Sequence, residues 1–81
     1  MNKMYQCSVA EYAENGLMEA EKIEGPLGLK TERSMGKDLI EQAAYDFQRE
    51  YGVTDKEREK VMLDVYNRMF STSYTSYKQI W

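Results

Sequence analysis

The chain has 81 residues, 42% of them hydrophobic and 31% charged, with a net charge of -3. That length predicts one small domain with a thin stability margin, and the charge balance excludes a disordered polymer. No apolar run is long enough to cross a bilayer, and the start lacks the apolar stretch of a signal peptide, so an intracellular, cytoplasmic location is expected. Cys7 is the only cysteine and histidine is absent. An internal disulfide is thereby excluded, and the commonest catalytic base and metal ligand is missing.

Residues 4–24 read as a β-hairpin. Asn15-Gly16 is a strong short-range turn signal. A three-residue loop, Glu14-Asn15-Gly16, separates strands 4–13 and 17–24. This register puts Tyr5, Cys7, Val9, Leu17 and Ile23 on one apolar face. It also sets Glu11 opposite Glu19, a like-charge pair that costs stability. Gly25-Pro26-Leu27-Gly28 reads as a turn, with proline presetting φ.

A helix is predicted over about 32–51, capped by Thr31 or Ser34. Leu39, Ile40, Ala43, Ala44, Phe47 and Tyr51 form its apolar stripe. Gly36 falls near its start and Gly52 ends it as a left-handed terminator. A second helix is predicted over 55–70. Thr54-Asp55-Lys56-Glu57 has the form of a capping box. Val61, Met62, Leu63, Val65, Tyr66, Met69 and Phe70 cover about half of its circumference. Arg58 falls within that arc, in the first turn, where its head is expected to reach water. Residues 72–81 read as a third strand on the hairpin or as a tail that docks only when bound to a partner. The predicted fold class is therefore α+β: an N-terminal antiparallel β-hairpin packed on a two-helix hairpin, with a short C-terminal strand as an option.

The chemistry-bearing patterns are weak. Asp55, Glu57 and Glu59 lack the glycine and closing acid of a calcium loop and are better explained as acids favoured at a helix N-terminus. Ser71, Ser73 and Ser76 have no evident base. Gly25-x-x-Gly28 is not a phosphate loop. No catalytic, cofactor or metal site is predicted, and an enzyme is not expected. A helix–turn–helix reader of nucleic acid is the alternative reading. The predicted second helix carries four basic and four acidic residues, which does not favour phosphate contact.

Charge is distributed unevenly. Residues 11–24 hold five glutamates against Lys22, residues 1–10 carry one lysine, and residues 25–81 balance nine against nine. Concentrated charge speeds encounter with an oppositely charged face. Glu11, Glu14, Glu19, Glu21 and Glu24 are therefore the candidate surface for a partner protein with a basic face. Tyr45, on the polar side of the first predicted helix, and the tail aromatics Tyr74, Tyr77 and Trp81 are candidate anchors. A homodimer is a further option, because the second helix is more apolar than a two-helix layer needs.

In being short, acidic and without catalytic residues, the chain resembles small accessory proteins of bacteriophages and mobile elements, among them inhibitors of host machinery such as anti-CRISPR proteins. The likeness is one of size and composition, carried by no motif. It implies a non-enzymatic protein-binding module or inhibitor. An assembly subunit that forms a homodimer is the remaining reading.

Overall fold

In a computed structural model, which describes residues 2–81, the chain forms three helices: α1 (Lys3–Glu24), α2 (Leu29–Tyr51) and α3 (Asp55–Phe70), followed by a 3₁₀ turn at Tyr77–Gln79. No strand occurs among the described residues. The predicted α+β class is thus overturned: the hairpin is a helix and the C-terminal strand is a docked tail.

The helical character of residues 3–24 has a local cause. Asn2 caps the segment, its Oδ1 accepting from the Tyr5 amide at 3.1 Å. Alanine, glutamate, methionine and lysine predominate, and all favour helix. Tyr5, Val9 and Ala13 are buried at i, i+4 and i+8, the spacing of one helical face. The two-residue alternation of the hairpin reading fails at Cys7, which is exposed, and at Ile23, which is 80% exposed.

Asn15-Gly16 lies inside α1 rather than at a turn, because Gly16 faces α2. A Cβ there would stand 2.9 Å from Leu39 Cδ2. Glycine in a helix interior costs about 1 kcal/mol relative to alanine; here the missing side chain lets α1 and α2 approach closely.

The second helix begins at Leu29, earlier than the predicted 32. Gly28 occupies the N-cap in extended geometry with no side-chain cap bond, so neither Thr31 nor Ser34 caps it. Its end at Gly52 is left-handed, φ 66 and ψ 28. At α3, Thr54 Oγ1 accepts from the Glu57 amide at 3.1 Å.

The helices run antiparallel. Tyr5 meets Ala44, Ser8 meets Tyr51, and Gly16 meets Leu39 along the α1–α2 seam. The α3 helix packs mainly on α2 and covers part of α1. The core is Tyr5, Val9, Ala10 and Ala13 of α1, Ile40, Ala43 and Ala44 of α2, and Val61, Met62, Val65 and Tyr66 of α3.

Gly36 is buried in the third turn of α2, where an added Cβ would stand 2.5 Å from Phe70 Cζ. The Phe70 ring is backed by Tyr66, centroids 4.8 Å apart. Gly36→Val is therefore expected to lower stability by roughly 1–3 kcal/mol through overpacking, read as a lower urea midpoint. A midpoint at or above that of the parent would show that the ring yields freely.

The tail folds back along α3. Asn67 holds it: Nδ2 donates to Tyr74 O at 2.9 Å, and Oδ1 accepts from Tyr74 N at 3.1 Å and from Thr72 Oγ1 at 2.8 Å. Trp81 stacks on Tyr77 at 5.3 Å and packs edge-on against Tyr66 at 5.8 Å.

Candidate protein-docking site

The helical register of α1 reorders the predicted acidic surface. On a 3.6-residue wheel, Glu11, Glu14 and Glu21 fall within roughly a quarter of the circumference, with Met18 between them. Glu19 and Glu24 lie outside that arc, on either side of it. Glu14 meets Arg68 of α3 at 3.6 Å, and Glu19 meets Lys22 at 3.6 Å. Both are largely solvated pairs, which contribute little to stability. The five glutamates thus share one helix, and three of them share one face.

Beside that face, α1 and α3 leave a groove of about 330 Å³ lined by Glu14, Leu17, Met18, Glu21, Arg68 and Met69. Leu17, Met18 and Met69 supply an apolar lining. Methionine is unbranched and polarisable, so such a lining adapts to partner side chains. Met18 is exposed, an unusual state for a large apolar residue beside other apolar groups. The carboxyls of Glu21 and Glu32 hydrogen-bond to each other, which raises the pKa of Glu21; slight desolvation and the negative charge of Glu32 act in the same direction.

Leu17, Met18, Arg68 and Met69 were not among the sequence-predicted site residues. Reading residues 3–24 with a 3.6 period would have placed Met18 opposite Tyr5, Val9 and Ala13. The contribution of Arg68 and Met69 has no signal in the local sequence, because it arises from the crossing of α3.

The predicted aromatic anchors all make contacts within the fold. Tyr45 is 44% exposed, yet its ring is covered by the Arg58 guanidinium, 4.3 Å from the ring centre. Arg58 does not reach water as expected; it is 6% exposed. Its Nη1 donates to Gln48 Oε1 and Asp55 Oδ1, both at 3.2 Å, and Glu59 lies 3.7 Å from Nη2. Asp55 also accepts from Gln48 Nε2 at 2.7 Å, so this acid is engaged in a side-chain network. Tyr77 and Trp81 are half-buried in the tail cluster, and burial raises the Tyr77 phenol while Arg58 opposes the shift. Tyr74 is 38% exposed and its ring centre lies 6.0 Å from that of Tyr66.

Among the described residues, no group of three or more acids or cysteines is arranged to hold a metal ion. No described helix is long and apolar enough to cross a membrane. Comparison of the chain with protein-family models, with curated proteins and with solved structures finds no match.

Proposed function

We propose that this chain is a non-enzymatic protein-binding module that seats a basic, amphipathic helical segment of a partner in the groove between α1 and α3. The observation that carries the reading is an apolar groove, lined by Leu17, Met18 and Met69, set beside the glutamates of α1. An amphipathic helix would place apolar side chains in such a groove. Its lysines or arginines would meet Glu11, Glu14 and Glu21, and complementary charge would set its orientation and speed its arrival. A module of this kind acts as a competitor when the segment it covers is one its partner needs.

A nucleic-acid reader draws less support. Arg58, one of four cations on α3, is buried against Tyr45, and the cations left at the surface of that helix are outnumbered by acids.

The test uses a fluorescent amphipathic peptide of leucines and lysines and its glutamate counterpart. The lysine peptide should bind, less tightly as salt rises, and the glutamate peptide should not. Glu11→Lys with Glu21→Lys should weaken binding about tenfold while the helical circular dichroism is unchanged. Equal binding of both peptides would sink the reading. So would sedimentation as a dimer that Met18→Lys dissociates, which would make a second copy of the chain the occupant.

A further inference from the structure

Apart from that groove, α2 and the tail border an open cavity of about 350 Å³ whose lining includes Arg33, Ser34, Lys37, Asp38, Tyr74 and Gln79. We infer that this cavity binds a phosphomonoester carried on a flat ring, a mononucleotide in the simplest case.

Three features point there. Arg33 and Lys37 stand one helical turn apart on α2, where like charges repel. Neither forms an ion pair among the described residues. The Arg33 Nε is covered and has no hydrogen-bond partner, like the Nε of Arg58, so an acceptor in the cavity would meet the outer guanidinium nitrogens. An anion between the two cations relieves their repulsion.

The remaining lining is rich in donors. Gln79 Oε1 is taken by the amides of Thr75 and Ser76 at 2.8 and 3.0 Å, which leaves its Nε2 group to donate. Ser34 and Tyr74 add hydroxyls, and Asp38 is the one acid. A phosphate, with three terminal oxygens, matches a set of cations and neutral donors. The exposed Tyr74 ring offers a flat surface for a base, and the volume lies at the lower end of the range for small-molecule sites. The net charge of -3 opposes general adhesion of anions elsewhere on the surface.

The experiment is a titration of the isotope-labelled protein, followed by amide chemical shifts, with AMP and with adenosine. AMP should give saturable shifts around residues 33–38 and 74–80, and adenosine should bind about tenfold or more weakly, the loss of a charge-assisted contact. Arg33→Gln and Lys37→Gln should each weaken AMP about tenfold with Tm unchanged. Glu21→Lys should leave AMP binding as it is, which separates this site from the α1–α3 groove. Adenosine binding as tightly as AMP, the absence of saturable shifts, or unchanged AMP affinity in both cation variants would overturn the inference.

Discussion

Tyr5→Ala is expected to lower the unfolding free energy by about 3–5 kcal/mol, a large share of the roughly 4–12 kcal/mol that an 81-residue domain has available. Tyr5 is fully buried, sits edge-on to Tyr51 at 6.2 Å, and donates from its hydroxyl to the Ala44 carbonyl at 2.9 Å. Its ring fills the space where α1, α2 and α3 meet, so truncation leaves a cavity that three helices would have to close. The variant should be largely unfolded at 37 °C by circular dichroism. A variant that melts within a few degrees of the parent would show that the helices collapse onto the vacated space.

The same residue has a pH signature. Burial pushes the Tyr5 phenol up from 10.0 to about 12, with Arg58 opposing the shift and Glu57 adding to it. The unfolded chain therefore releases this proton near pH 10 while the folded chain retains it. The stabilisation is fully present below pH 10 and is lost as pH rises through about 12, to the extent of about 2–3 kcal/mol. Tyr5→Phe removes one hydrogen bond, at a cost of about 1 kcal/mol at neutral pH, and removes this titration. It should be the less stable protein at pH 7 and the more stable one above about pH 11. Urea midpoints for the pair across pH 7–12 test this, and parallel curves would contradict it.

The second large effect belongs to Arg58. Arg58→Ala should cost about 2–4 kcal/mol, from lost packing and from the hydrogen bonds to Gln48 and Asp55. Lysine is not a substitute, because the flat guanidinium both stacks on Tyr45 and presents several donors at once. Arg58→Met keeps the packed stem and discards the charge, and should fall between alanine and the parent. A double-mutant cycle with Tyr45→Ala should return a coupling of about 1 kcal/mol for the stacked pair. A coupling near zero would make the ring a bystander. A methionine variant as stable as the parent would mean that the network sets the register of α3 rather than its stability.

The two proposed sites fared differently in the sequence. The excess of acid in residues 11–24 is visible in composition, and it marks the helix that carries the groove. The secondary structure assigned to that segment was wrong, so the grouping of its glutamates was wrong too. As a strand, Glu11 faces Glu19; as a helix, Glu11, Glu14 and Glu21 share a side and Glu19 turns to Lys22. The cation cavity was not legible, because Arg33 and Lys37 acquire their neighbours Tyr74 and Gln79 only when the tail folds back.

Features with local causes were readable from the sequence. Thr54 before Asp55 marks a helix start because its hydroxyl has an amide within reach three residues on. Gly52 marks a helix end because the chain there turns left-handed. The apolar spacing of Ile40, Ala43 and Ala44, and of Val61, Met62 and Val65, reports a buried helical face. Asn15-Gly16 is compatible with a turn or with helix; the flanking helix formers favour helix, and the close approach of Leu39 to Gly16 fits it there. Arg58 could have lain in water or under Tyr45, and the packing of α3 on α2 chose the second. Tertiary contacts decide wherever local preference amounts to about 1 kcal/mol, since burial of a single large side chain is worth more than that.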